Sequence, residues 1–164
     1  MQFDDDDDDD GFDWDEFERS YDPIEAQREM EAENRRIEQL PVLRKANEIL
    51  EITEAITSTI NEEDDVLMMS EQMLANAMML PSKVVGAESA DLYTLRMENA
   101  VGIKIHAREL LTQTNYLRAE KLANPAYIKL LRDEIDNFRV LFVVWINSFD
   151  KTNDIPDDWG LFNT

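Results

Sequence analysis

From Val42 to Phe149 apolar residues recur three and four positions apart, and no other feature restricts the possible folds as strongly. A 4-3-4-3 spacing lays a continuous apolar stripe along one face of an α-helix and has no counterpart in a strand, whose period is two. Four segments carry such a stripe. The first spans about Pro41 to Ile60, with Val42, Ala46, Ile49, Thr53, Ile56 and Ile60 in line. In the second, Asn61 is the expected cap, Glu62, Glu63 and Asp64 fill the first turn, and Val66, Ser70, Met73, Ala77, Leu80 and Val84 lead to a stop at Gly86. The third covers about Ser89 to Arg118, turning Tyr93, Met97, Ala100, Ile103, Ala107, Leu110, Thr114 and Leu117 inward. The fourth starts at Asn124-Pro125 and follows Tyr127, Leu131, Ile135, Phe138, Phe142, Trp145 and Phe149. Between Val140 and Ile146 it is apolar on every side, which predicts the most buried element of the fold. Short connections between successive helices predict an all-α, up-down-up-down four-helix bundle over residues 41–150.

Two appendages precede the bundle and one follows it. Asp22-Pro23 is a helix-start signal, and residues 23–40 predict an exposed arm helix, poor in apolar residues, that Leu40-Pro41 ends. Residues 151–164 read as an irregular tail expected to fold back over one end of the bundle. Only four glycines occur, and there is no cysteine to form a disulfide, a thiolate metal site or a thiol nucleophile. The longest apolar run, Val140 to Ile146, is seven residues, against about 20 needed to span a bilayer. The first residues are acidic where a secretory leader is basic, so the expectation is a cytoplasmic protein.

The net charge of −21 is unevenly distributed. Residues 1–40 hold seventeen acidic residues against four arginines, whereas the remaining chain holds twenty acids and twelve bases. Such a balance opposes direct nucleic-acid binding and attraction to anionic membranes, and it suits a basic protein partner. The acidity peaks in residues 1–22, which predict an acidic-aromatic disordered tail. Asp4, Asp5, Asp6, Asp7, Asp8, Asp9 and Asp10 are consecutive and repel one another. Phe12, Trp14, Phe17 and Tyr21 follow, with Trp14, Phe17 and Tyr21 at i, i+3, i+7 so that a short helix would align three rings. Aspartates steer a segment toward a basic surface, and aromatic rings supply the buried anchors of a contact. These eleven residues are the candidate partner-binding site, the alternatives being that the rings dock the tail on its own bundle or that the aspartates only solubilise the chain.

Other constellations carry less. His106 is the only histidine, so the Glu-x-x-His pairs of ferritin-like di-metal bundles are missing. It shares a heptad line with Asn99 and Gln113, with Glu109 nearby, and reads as a polar seam at a helix boundary. Met68, Met69, Met73, Met78 and Met79 crowd the second helix. Met73 falls on the stripe, and the others fill core gaps, form a face for self-association, which would make a homo-oligomer, or offer an adaptable surface to another protein. Over a few residues, Glu62-Glu63 followed by Glu88-x-x-Asp91 resembles the EExxE and ExxD motifs of the MazG-type all-helical nucleotide pyrophosphohydrolases. That resemblance implies carboxylates holding magnesium, a hard cation that takes oxygen ligands. Val66 stands where the first motif has its third Glu.

The expectation is therefore a non-catalytic adaptor or regulatory protein without metal or cofactor. Its acidic tail would recognise a basic protein, in one variant by imitating nucleic-acid charge in a basic groove. A magnesium-dependent nucleotide pyrophosphohydrolase and a structural subunit of a larger assembly are the alternatives.

Overall fold

The computed structural model describes residues 22–155 and 158–161. Within them the chain forms five helices and no strand: α1 (Pro23–Glu38), α2 (Pro41–Thr57), α3 (Met69–Glu88), α4 (Tyr93–Ala119) and α5 (Pro125–Ile146). It divides into two compact units, Met1–Arg36 and Ile37–Thr164.

In the first unit, α1 starts where the sequence signals a start. The Asp22 carboxylate accepts the backbone N–H of Ile24 at 2.9 Å, and Pro23 occupies the first helical position, where its missing N–H costs nothing. Ile24 and Met30 are exposed. A helix this polar relies on pairs along its own surface: Gln27 donates to Glu31 at 3.0 Å, and Arg36 pairs with Glu33 at 2.5 Å. Each such pair is worth about 0.2–0.5 kcal/mol in an isolated helix.

In the second unit, α2 packs on α3 and α5, and α4 packs on α3 and α5. Contacts fix the direction of one pair directly. Gly86 of α3 lies opposite Asn99 of α4, Lys83 opposite Gly102, and Asn76 opposite His106, so α3 and α4 run antiparallel. A Cβ at Gly102 would meet Lys83 Cε at 2.6 Å, so the bare glycine lets the lysine stem cross α4 closely. Inside the unit, Val42, Ala46, Ile49 and Ile56 of α2 join Met73, Ala77, Leu80 and Val84 of α3 in one core. Ala100, Ile103, Leu110 and Leu117 of α4 complete it with Ile128, Leu131, Ile135, Phe138 and Trp145 of α5. Ile37, at the end of α1, also belongs to it. The buried Thr53, Thr57 and Thr114 satisfy their hydroxyls on their own helices, Thr53 by donating to the Ile49 carbonyl at 2.7 Å.

Besides α4 starting at Tyr93 and not near Ser89, and α5 ending at Ile146 and not near Phe149, four details differ from the sequence expectation. First, α3 begins at Met69 instead of following Asn61, and residues 61–68 form turns with Val66 exposed. Asp65 is the capping residue, accepting Met69 N–H at 2.7 Å and Ser70 N–H at 2.9 Å. Asn61 only closes a local turn by accepting the Glu63 N–H at 3.2 Å. Second, Gly86 does not stop α3, which continues to Glu88, since a glycine allows a helix end without forcing one. Third, Ile128 and not Tyr127 enters the core, leaving Tyr127 55% exposed. Residues three and four before Leu131 both fit the stripe, and the phenol hydroxyl favours water. Fourth, α5 is not buried on all sides: Val140, Val143 and Val144 are 63%, 48% and 67% exposed. Packed chiefly against α2 and α4, α5 keeps a flank that no helix among the described residues covers, and an apolar side chain cannot bury itself without a facing surface.

Candidate interaction site

Asp4 to Asp10, Phe12, Trp14, Phe17 and Tyr21 lie outside the described residues. The second unit carries the remaining chemistry, concentrated where α3, α4 and α5 meet.

At one end of that junction a buried cluster ties three helices. Glu88, the last residue of α3, keeps only 4% of its side chain exposed and pairs with Arg96 of α4 at 2.6 Å. The same carboxylate accepts the indole N–H of Trp145 of α5 at 2.7 Å. Arg96 also lies over the Phe149 ring, 4.1 Å from its centroid, and Trp145 meets that ring edge-on at 4.8 Å. Glu88 and Asp91 were the second half of the magnesium-type pattern. The structure gives Glu88 to an ion pair and an indole, while Asp91 accepts the Asn153 amide through its backbone carbonyl at 3.0 Å. The first half, Glu62 to Asp65, sits before the other end of α3, a helix of 20 residues and so about 30 Å long. Among the described residues no group of three or more His, Asp or Glu is placed to hold a metal ion.

Beside the cluster, residues 151–154 fold back onto the start of α4. Tyr93 donates its backbone N–H to the Asn153 carbonyl at 2.8 Å. The Asp154 carboxylate accepts the Thr94 hydroxyl at 2.7 Å and its N–H at 3.1 Å, filling the role of the missing helix cap. Those hydrogen bonds, the hydroxyl foremost, hold the Asp154 pKa below its ordinary value. Beyond it Ile155, Trp159 and Leu161 are exposed.

The polar seam expected around His106 is present, with a member the sequence did not single out. His106 Nδ1 lies 2.8 Å from Asn76 Oδ1, and Asn76 donates its amide to Gln113 Oε1 at 3.1 Å, a chain of three side chains across α3 and α4. Asn76 sits on the inward side of α3, one residue before Ala77 of the stripe, which is the signal that was available for it. Asn99 turns back to its own helix, donating to the Leu95 carbonyl at 3.1 Å.

The methionines do not form one face. Met69 and Met73 are buried and Met79 half-buried, while exposed Met68 and Met78 stand ten positions, about 15 Å, apart.

Between α4 and α5 a groove of about 490 Å³ is lined by apolar side chains, including Leu111, Phe138, Phe142 and Val143. Lys104, Arg108 and Arg139 stand on its rim with one acid, Asp136. These features define an all-helical protein with an inter-helix groove and no helix, among the described residues, long and apolar enough to cross a membrane. No protein-family model matches the chain, and no curated protein matches its sequence.

Proposed function

We propose that this chain is a non-catalytic adaptor or regulatory protein acting through protein–protein contacts, with its acidic-aromatic N-terminal segment recognising a basic protein. The observation that carries this reading is the order of residues 4–21: seven aspartates, then Phe12, Trp14, Phe17 and Tyr21. Like charges in a row accelerate encounter with a cationic surface, and rings spaced i, i+3, i+7 anchor in a groove once the encounter is made. In this reading α2 to α5 form an up-down-up-down bundle that serves as the scaffold, and the protein acts in the cytoplasm. The antiparallel α3–α4 pair and the packing of α2 on both α3 and α5 support that arrangement.

Affinity capture with the full chain from its native host, followed by association kinetics with the purified partner, tests the reading. The partner should be basic, and its association should slow as salt rises, because charges are screened over about 10 Å at 0.1 M. Replacing Asp4 to Asp10 with serine should reduce the association rate and flatten its salt dependence. Replacing Trp14 and Phe17 with alanine should chiefly speed dissociation. A partner whose binding ignores both sets of substitutions would sink the proposal.

A further inference from the structure

The α4–α5 groove has a floor, a length and a rim charge that together describe one kind of occupant. Two ties hold these helices, and the groove opens between them. At one end Arg132 of α5 donates to the Thr114 hydroxyl at 2.6 Å, to Asn115 Oδ1 at 3.0 Å and to the Leu111 carbonyl at 3.2 Å, all on α4. At the other end stands the cluster of Glu88, Arg96, Trp145 and Phe149. The lining runs from Ile103 to Leu111 on α4 and from Ile135 to Ile146 on α5, about 12 Å and 16 Å of helix at 1.5 Å per residue. A helix that anchors through positions i, i+3 or i+4 and i+7 needs about 10.5 Å. The groove is thus long enough for one such set of anchors.

Its rim carries a charge opposite to that of the chain. In a protein of net charge −21, Lys104 and Arg108 sit one turn apart on α4, and neither has an ion-pair partner among the described residues. Like charges at i, i+4 repel each other. Arg139 adds a third cation from α5, with Asp136 at 3.4 Å as the sole acid on the rim among the described residues. An apolar floor flanked by three cations against one acid among the described residues complements an amphipathic helix with an apolar stripe and acidic flanks. Phe142, on the inward stripe of α5, remains only half-buried because it lines this groove.

We infer that the α4–α5 groove is a docking site for an acidic amphipathic helix of another protein. This goes beyond the N-terminal reading, since it concerns a partner of opposite charge on a different surface, and either can fail without the other. An adaptor that joins a basic protein to an acidic one needs two such surfaces.

The test uses the full chain and a fluorescein-labelled twelve-residue helical peptide with Leu at positions 1, 5 and 8 and Glu at the flanking positions. A second peptide has Lys in place of each Glu. Anisotropy titrations at low salt should show the Glu peptide binding at least about tenfold more tightly, a difference of about 1.4 kcal/mol. Methyl chemical-shift changes should centre on Val143 and Leu111. The double variant Lys104→Glu, Arg108→Glu alters only exposed side chains, so it should unfold at the parent temperature while losing or reversing the preference. Equal binding of the two peptides, or a preference unmoved in the double variant, overturns the inference. Binding that appears only after Asp4 to Asp10 are replaced with serine also overturns it, assigning the groove to the chain's own N-terminal segment. Shift changes at the groove with dodecanoate but none with the peptide overturn it in favour of a small amphiphilic anion.

Discussion

Trp145 donates its indole N–H to the carboxylate of Glu88 at 2.7 Å, and through this bond the last turn of α3 is joined to the last turn of α5. The carboxylate is simultaneously paired with Arg96, so three helices depend on one nearly buried acid.

Glu88→Ala should destabilise the protein by about 3 kcal/mol, the lower end of the range for stripping one partner from a buried ion pair. The lower end applies because Arg96 keeps 20% exposure and can recover some hydration. Glu88→Gln retains an acceptor for the indole and should cost less. Trp145→Ala should cost about 3–5 kcal/mol by opening a cavity. Urea denaturation of the three variants measures these differences. A Glu88→Ala loss under about 1 kcal/mol would show that the acid is not a structural tie.

The contact between Asp154 and Thr94 should come apart in acid. Its hydrogen bonds depress the Asp154 pKa below 3.8, so the stabilisation is complete above that value and lost as pH falls through the lower, folded pKa. The protection of the Thr94 amide, read from its exchange rate relative to that of an unprotected amide at the same pH, should decline as pH falls below 3.8. In Asp154→Asn that protection should be low at neutral pH already, with a weaker dependence on acid.

Capping of α3 separates two residues that the sequence alone ranks the other way. Asp65→Ala should cost about 1 kcal/mol, the usual loss for a side-chain cap, whereas Asn61→Ala should change little. Burial by itself would raise the Asp65 pKa, but the hydrogen bonds from Ser70 and Met69 outweigh it and lower the value. Met68, between cap and helix, holds φ of 53°, a left-handed conformation costly for a side chain. Met68→Gly should therefore raise stability, by about 1 kcal/mol at most, as thermal unfolding would register.

Lys45 of α2 bridges to Glu134 of α5 at 2.6 Å and pairs also with Glu48, interactions that raise its pKa above 10.5. A raised pKa stabilises fully below the unfolded value and is lost as pH climbs through the folded one. Stability should therefore decline above about pH 10.5, and Lys45→Met should remove that part of the decline. An alkaline profile identical in the variant would rule the bridge out as its source.

Magnesium should produce no binding heat at the Glu62 to Asp65 turn, because Asp65 is committed to the helix cap and Glu88 lies at the far end of α3. Calorimetry with magnesium, together with a nucleoside triphosphate screen, measures this. Turnover abolished by Glu63→Gln would establish the pyrophosphohydrolase alternative instead.

Much of the helical order was legible in the sequence. The α2 stripe from Val42 to Ile56, the α3 stripe from Met73 to Val84 and the caps at Asp22 and Asn124 all follow from local chemistry. The residues that define sites were harder to read. Glu88 resembled half of a metal motif because spacing along a chain says nothing about an arginine eight residues on or an indole 57 residues on. The groove was invisible for the same reason: Lys104 and Arg108 are ordinary surface cations on α4 until α5 supplies the apolar wall opposite them.

By itself the sequence determined the body of each helix, though not residues 61–68, and for most positions which face turns inward, since both depend on spacing within one segment. It also determined where charge accumulates along the chain. Only the tertiary structure decided which faces find a neighbour. Val140 and Val144 are as apolar as the core, yet they stay exposed because burial requires a second surface, and no helix among the described residues covers that flank of α5.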